Sequence, residues 1–266
     1  MIGEILFYKY VILDKLGNGS FGEVYKGENI RTKELVAIKR EIQTNNKLLK
    51  NEAKIYTYLG KQPGFLELKW FGMKNDYSYL VVNLLGDSLT TSKQKDKILL
   101  NDIKYIACQM ISRVQVLHGN GFVHRDIKPD NFLLGYSSKK DKGMVYLIDF
   151  GLCKSFLSND GNHISYKLTK NIIGSVNYVS LNGHNKIELT RRDDLESIVY
   201  ILLFLLDMLP WKIDESLSLV RIIELKQHVL QLPIPENIKK MMEYIRKLEF
   251  AETPQYEYMK QCINEM

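Results

Sequence analysis

Nine consecutive residues constrain this chain more than any other segment, and they read HRDIKPDNF from His124 to Phe132. Asp126 would accept a proton from a hydroxyl group, and Lys128 would neutralise charge on a phosphoryl group in transfer. Asn131 would fold back to bind a magnesium ion. A charged loop between two strands is the alternative, but such a run rarely arises without a chemical role. The spacing therefore predicts a loop that acts on phosphoryl groups.

A glycine-rich segment, GNGSFG from Gly17 to Gly22, lies near the start of the chain. The spacing G-x-G-x-x-G also occurs in dinucleotide-binding turns, which need a helix directly after the glycines. The residues from Glu23 to Lys26 alternate polar and apolar instead, and this predicts a strand. The segment would then join two strands and lay its backbone over the phosphates of a nucleotide. The nucleotide contacts predicted here are Leu16, Gly17, Gly19, Ser20, Gly22 and Val24.

The motif VAIK follows and ends at Lys39, which is predicted to reach the α- and β-phosphates of the nucleotide. Ala37 would lie beside the same nucleotide. A glutamate on the next helix should hold Lys39, and Glu52 is the best candidate because apolar residues follow it at helical spacing. Glu41 is the alternative, although it is predicted to share a strand with Lys39.

The sequence DFG begins at Asp149 and follows an apolar run that is typical of a strand. At this position Asp149 would bind the magnesium ion that bridges the β- and γ-phosphates, so Asp149 and Asn131 are the predicted metal ligands. Upstream, the segment NLLG around Leu85 should hydrogen-bond adenine through its backbone. These motifs together predict a catalytic set of Asp126, Lys128, Asn131 and Lys39.

The pattern of elements predicts the fold class. Strands dominate the first eighty or so residues, with one helix near residues 46–59, and helices dominate the rest. We therefore expect an α+β fold with two lobes in one domain. Residues 1–85 would form a small β-rich lobe, and residues 86–266 a larger, mainly helical lobe.

Two helices are predicted with more detail. The clearest runs from about Asp102 to His118, with Asn101 as its N-cap. The most apolar stretch, Ile198 to Leu206, is too short to cross a bilayer, which needs roughly 20 residues. It predicts a helix that is buried on all sides, so we expect no membrane span.

Composition excludes several classes of protein. The net charge of +6 is mild, and basic residues are dispersed without interleaved aromatic residues, so we expect no direct nucleic-acid binding. The three cysteines lack metal-ligand spacing and cannot all pair, which suits a reducing compartment. Cys153 is predicted to be a small buried residue and not a reactive thiol. No signal peptide is visible, so we expect a cytoplasmic location, with an additional nuclear location as the alternative. We also expect the protein to be a monomer.

The chain resembles the casein kinase I family of serine/threonine protein kinases over nearly its whole length. The resemblance rests on the runs KLGNGSFG, LLGDSL, HRDIKPDNFLLG, DFGLCK and RRDDLES. It also rests on Ser180-Leu181-Asn182, where most protein kinases have A-P-E and this family has S-I-N. The resemblance implies a two-lobed kinase fold, ATP and Mg²⁺ as cofactors, constitutive activity, and protein substrates with serine or threonine near acidic residues. It also implies that Asp194 anchors the backbone of the catalytic loop.

Departures from the family pattern concern substrate choice. The family segment G-T-A-R-Y-A-S carries an arginine that helps bind anions, whereas this chain has Asn177 in GSVNYVS. A neutral amide cannot make the bidentate contact that arginine makes with phosphate. We therefore expect a weakened preference for already phosphorylated substrates. The predicted substrate and anion contacts that remain are Lys154, Lys167, Lys170 and Ser175.

Two further departures and two alternatives remain open. The basic cluster that the family has after tryptophan is replaced by residues 212–216, and we expect no regulatory tail after the kinase core. A scaffold that keeps the fold without activity would have lost Lys39, Asp126 or Asp149, and all three are present. The alternative of a kinase that acts on small molecules or lipids is disfavoured by the run RRDDLES, which is typical of the protein kinase family that the chain resembles. Pathway and physiological substrates are not encoded in these patterns.

Overall fold

The computed structural model describes residues 1–19, 22–43, 48–60, 62–136, 141, 143–211 and 217–266. Its contacts divide the chain into two compact units. The first unit contains Met1–Asp87 and Leu133–Gly151, and the second contains Ser88–Phe132 and Leu152–Met266. The boundary between the two lobes, expected between residues 85 and 86, stays a prediction. Ser20 and residues 212–216, named in the sequence analysis, lie outside the described residues.

Strands and helices are segregated along the chain, as the α+β class predicts. The strands are β1 Ile5–Leu6, β2 Tyr10–Gly19, β3 Gly22–Asn29, β4 Leu35–Ile42, β5 Leu68–Lys74, β6 Tyr77–Asn83, β7 Phe122–Val123, β8 Phe132–Leu134, β9 Val145–Leu147 and β10 Lys154–Ser155. The helices are α1 Leu48–Leu59, α2 Leu89–Gln94, α3 Leu100–Gly119, α4 Leu181–His184, α5 Arg191–Leu205, α6 Leu219–Gln227, α7 Glu236–Lys247 and α8 Tyr256–Asn264. The first unit is rich in strands, and the second is mainly helical.

An antiparallel sheet of six strands, in the order β1-β2-β3-β4-β6-β5, forms most of the first unit. Alternate side chains of its strands build a core that includes Leu6, Ile38 and Val81, each fully buried. The ring of Phe7 lies 3.7 Å from that of Trp70, so the chain next to β1 packs against β5. Because a strand and not a helix follows the glycine-rich segment, the dinucleotide-binding alternative is excluded.

Two helices of the second unit form its core. The predicted apolar face of α3 is buried, but its N-cap is Leu99 and not Asn101, so that detail of the prediction was wrong. The reason is that the carboxylate of Asp102 accepts a hydrogen bond from the Leu99 amide, 3.2 Å away, and fixes the first turn there. Helix α5 is buried almost throughout, as predicted from its apolar stretch.

Cysteine and membrane predictions were also tested. All three cysteines are free, and Cys153 is half-buried where the sequence predicted a buried side chain. Among the described residues, no helix is both long enough and apolar enough to cross a bilayer.

Candidate active site

The hairpin of β2 and β3 shapes the glycine-rich segment in the first unit. Gly19 pairs with Gly22, and Gly17 pairs with Val24, after an irregularity in the register of β2. A side chain at Gly22 would place its Cβ 2.1 Å from the carbonyl oxygen of Arg40 on β4, so only glycine fits this approach. Of the other predicted nucleotide contacts, Leu16 is exposed, and Val24, Ala37 and Leu85 are half-buried.

Lys39 on β4 lies at the centre of an acidic cluster. Its Nζ is 2.8 Å from Glu52 Oε2 on α1 and 2.8 Å from Asp149 Oδ1. Glu41, the alternative partner, shares β4 with Lys39 and is 3.6 Å away. Burial lowers the pKa of Lys39, but the carboxylates of Glu52 and Asp149 outweigh burial and leave the pKa raised. Lys39 is therefore a permanent cation at neutral pH.

Asp149 is the carboxylate of this cluster that is predicted to bind magnesium. Three carboxylates lie within 3.6 Å of the Lys39 ammonium, and burial raises the pKa of one of them, Glu41. Burial raises the pKa of Glu52 to about 7, with Lys39 opposing and Asp149 reinforcing this shift. No group of three or more acidic, histidine or cysteine residues for a metal occurs among the described residues. A magnesium ion held by one carboxylate, an amide and nucleotide phosphates needs no such group.

Two aromatic side chains hold the backbone at Asp149. Its amide donates a hydrogen bond to the hydroxyl of Tyr56, 3.2 Å away. Phe150 is fully buried, and its ring lies 5.0 Å from the ring of Tyr56. Asp149 has a φ of 64°, a conformation that residues other than glycine adopt at an energetic cost. The sequence analysis predicted a helix near residues 46–59 but assigned no role to Tyr56, because helical spacing does not reveal this contact.

In the second unit, three side chains converge on Asp126. The hydroxyl of Ser175 donates to its Oδ1 at 2.8 Å, and Lys128 Nζ lies 2.8 Å from its Oδ2. The amide nitrogen of Asn131 donates to the Asp126 carbonyl oxygen at 2.8 Å. This contact leaves Asn131 Oδ1 as the atom that could bind a cation. The two predicted metal ligands belong to different units, Asn131 to the second and Asp149 to the first.

Asp194, on the buried helix α5, fixes the backbone of this loop. Its carboxylate accepts hydrogen bonds from the amides of His124 at 2.7 Å and Arg125 at 2.9 Å. It also lies 2.9 Å from His118 Nε2, a partner that the sequence analysis did not identify. Burial would raise the pKa of Asp194, but His118 and His124 together outweigh burial and leave it lowered. Arg125 is thereby held at a φ of 69°.

Glu188 was missed by the sequence analysis, yet it organises the predicted anion site. Its buried carboxylate lies 3.1 Å from Arg125 Nη1, 2.7 Å from Lys154 Nζ and 3.7 Å from Lys167 Nζ. Burial would raise its pKa, but Lys154, Arg125 and Lys167 together leave it lowered. Lys154 and Lys167 are thus already engaged with an internal anion. Lys170, the fourth predicted contact, is exposed.

The segment from Gly174 to Ser180 packs directly on the catalytic loop. Gly174 has a φ of 92°, and a Cβ there would lie 2.4 Å from the Arg125 carbonyl oxygen. A turn follows in which the amides of Tyr178 and Val179 both donate to the Ser175 carbonyl oxygen, at 2.9 and 2.8 Å. The close approach and the turn position Ser175 for its contact with Asp126.

A comparison with known families agrees with these motifs. A family model described as the protein kinase domain matches residues 10–264. The match therefore includes the glycine-rich hairpin, the Lys39 cluster, the loop at Asp126 and the buried helix α5.

Proposed function

Because the chain belongs to the protein kinase family, we propose that it is an active serine/threonine kinase of the casein kinase I type. Protein kinases transfer the γ-phosphoryl group of ATP to a protein hydroxyl with the help of divalent cations. The observation that carries the proposal is the environment of Asp126, whose two carboxylate oxygens each have one donor at 2.8 Å. The run RRDDLES and the Ser180-Leu181-Asn182 segment support the narrower assignment.

Three residues, Asp126, Lys128 and Ser175, support a serine or threonine acceptor. Asp126 would orient the hydroxyl of a serine or threonine and accept its proton as the oxygen attacks the γ-phosphorus. Lys128 would stabilise charge on the phosphoryl group while the bond to the β-phosphate oxygen breaks. Ser175 donates a hydrogen bond from its small hydroxyl to the Asp126 carboxylate, which suits a small alcohol acceptor.

On the nucleotide side, Lys39 would bind the α- and β-phosphates, and Glu52 would hold its ammonium in place. Asp149 and Asn131 would be the protein ligands of magnesium, as their motifs predict. When bound, the ion would neutralise charge on the β- and γ-phosphates. Catalysis by these residues is then mainly positioning and electrostatic stabilisation.

Constitutive activity is supported by Glu188. Many protein kinases order their activation segment only after phosphorylation, when an arginine pairs with the new phosphate. Here Arg125 is already paired with a buried carboxylate, which also contacts Lys154 and Lys167. An internal anion thus substitutes for the phosphate.

We expect Glu188→Gln to lower activity by about tenfold, while Glu243→Gln, an exposed substitution on α7, leaves it unchanged. Full dependence of the wild type on phosphorylation by another kinase would contradict this.

We further propose that acidic substrates are preferred and that phosphorylated ones gain little. Lys170 is exposed and the cluster around Glu188 keeps surplus positive charge, so acidic side chains are attracted. Asn177 lacks the charge with which an arginine binds phosphate. A phosphoserine three residues before the acceptor should therefore raise kcat/KM far less than a hundredfold.

The test is transfer of labelled phosphate from Mg-ATP to two peptides. One peptide has acidic residues before its serine, and the other has a phosphoserine at the third position upstream. Transfer by the wild type that Asp126→Asn abolishes would support the proposal, and the ratio between peptides measures the contribution of Asn177. Binding of ATP without transfer to either peptide, or to a general protein substrate, would favour a scaffold.

A further inference from the structure

Lys226 is a fully buried lysine on α6. Its Nζ lies 2.8 Å from the Val176 carbonyl oxygen and 2.6 Å from that of Val179. The third neighbour is His184 Nε2, at 3.0 Å. Three acceptors match the three N–H groups of an ammonium ion. The three N–H groups of Lys226 are therefore matched by two carbonyl groups of the turn from Ser175 to Val179 and by one histidine.

Among the described residues, aromatic rings and no contacting carboxylate surround the ammonium group of Lys226. Its Nζ lies 4.8 Å from the centre of the Tyr200 ring and 5.1 Å from that of Trp211. Glu196 is the acid whose charge acts on the pKa of Lys226, but its carboxylate accepts hydrogen bonds from the Tyr200 hydroxyl and the Leu181 amide. Burial lowers the pKa of Lys226 to about 7, with Glu196 opposing. A charged lysine that is buried with no described carboxylate in contact is costly unless other acceptors satisfy its donors, as the two carbonyls and the histidine do here.

The two carbonyl groups that Lys226 binds belong to the turn from Ser175 to Val179. Val176 and Val179 flank Asn177, the residue that replaces the anion-binding arginine of the resembled family. At its beginning the same turn is joined to the catalytic loop, because Ser175 donates to Asp126. Lys226 holds the rest of the turn through two backbone carbonyls. The turn is thus fixed at both ends, once to the catalytic aspartate and once to α6.

We propose that Lys226 is a positioning residue for the protein substrate, which it serves by holding the turn from Ser175 to Val179 in its substrate-binding conformation. This inference rests on the proposed kinase function and assigns the turn to recognition of the substrate. The arrangement survives loss of the lysine proton. A neutral amine keeps two N–H donors for the carbonyls, and its lone pair can accept from His184 Nε2.

Steady-state kinetics of Lys226→Met with the acidic peptide test this proposal. The variant keeps the length of the side chain and removes every donor. We expect the KM for the peptide to rise at least about tenfold while the KM for ATP stays within about twofold. Lys226→Arg, which keeps donors and charge, should recover most of the loss. Lys226→Gln, which keeps two donors on a shorter chain, should be intermediate.

A matched control separates positioning from loss of stability. Met259→Ala on α8 removes a buried side chain that none of these contacts involve, and should lower the unfolding temperature with both KM values unchanged. If Lys226→Met and Lys226→Gln raise the peptide KM no more than Met259→Ala does, the proposal is wrong. If Lys226→Met does not fold, the Arg and Gln variants decide the matter by the same comparison. An inactive wild type would instead overturn the proposed function.

Discussion

The side chain of Lys39 is 11% exposed and that of Lys226 is fully buried, but their neighbours are of opposite kinds. Lys39 lies 2.8 Å from two carboxylates, and its pKa is raised although burial acts against it. Lys226 contacts two carbonyls, a histidine and two rings, and burial lowers its pKa to about 7. The difference shows that burial alone does not decide the charge of a lysine. The formal charges within contact decide it.

The two environments suit two different tasks. A lysine that must face phosphate oxygens needs a fixed positive charge, and Glu52 and Asp149 guarantee that charge to Lys39. A lysine that only holds backbone carbonyls needs donors in fixed directions, and Lys226 has these with or without its third proton. We therefore expect charge to matter at the first lysine and geometry at the second.

The largest effect should follow from Lys39→Met. Removing the ammonium takes away the group that faces the phosphates and leaves Glu52 and Asp149 without their cation. We expect kcat/KM to fall by about 10²–10³-fold, the usual effect of losing one such electrostatic contact. Steady-state kinetics measure this, with Lys50→Met on the exposed face of α1 as the control. A loss smaller than tenfold would show that the charge at Lys39 is dispensable.

The next effect concerns acid pH and His184. Burial, reinforced by the Lys226 ammonium, lowers the pKa of His184 from 6.5 to about 4. Between these values the unfolded chain takes a proton that the folded protein refuses, so the free energy of unfolding falls as pH drops. The loss should approach about 3 kcal/mol by pH 4. Urea denaturation between pH 7 and 4 measures it against His184→Gln. Equal pH slopes in both proteins would contradict the assignment.

Double-mutant cycles test the comparison directly. Lys39→Met with Glu52→Gln should show a coupling free energy of about 1–3 kcal/mol, because the two side chains are a buried ion pair. Lys226→Met with Glu196→Gln should show a smaller coupling, because those residues are not in contact and only share Tyr200 as a neighbour. Equilibrium unfolding in urea provides both values. Equal coupling in the two cycles would mean that Lys226 is also held by charge.

The smallest effect should come from an exposed lysine. Lys170→Ala removes a charge that water already screens, so the KM for the acidic peptide should rise at most about fivefold. Raising the salt concentration should remove most of that difference. A larger and salt-insensitive rise would place Lys170 in a desolvated contact with the substrate.

Motif spacing predicted much of the fold and the residue sets of the candidate site. The α+β protein kinase fold is confirmed by the family match over residues 10–264. Strands on both sides of the glycine-rich segment and the Lys39–Glu52 contact were also predictable, because each follows from local alternation or helical spacing. The predicted monomer and its cytoplasmic location stay predictions.

The missed residues share a physical reason. Glu188, His118 and Tyr56 act through partners that are distant in sequence, and no periodic pattern marks such pairs. Lys226 did leave a signal, because it lies four residues after buried Ile222 and therefore on the apolar face of α6. A lysine on an apolar helix face is a reason to look for acceptors in the core.

The anchoring of the catalytic loop by Asp194 has a consequence for the stability of that loop. The amides of His124 and Arg125 are bound to a carboxylate on a helix that is buried almost throughout. They can exchange hydrogen with water only when α5 itself separates from the loop. These two amides should therefore be among the slowest to exchange in the protein. A loop at a reactive site would then be as resistant to local unfolding as the centre of the helical core.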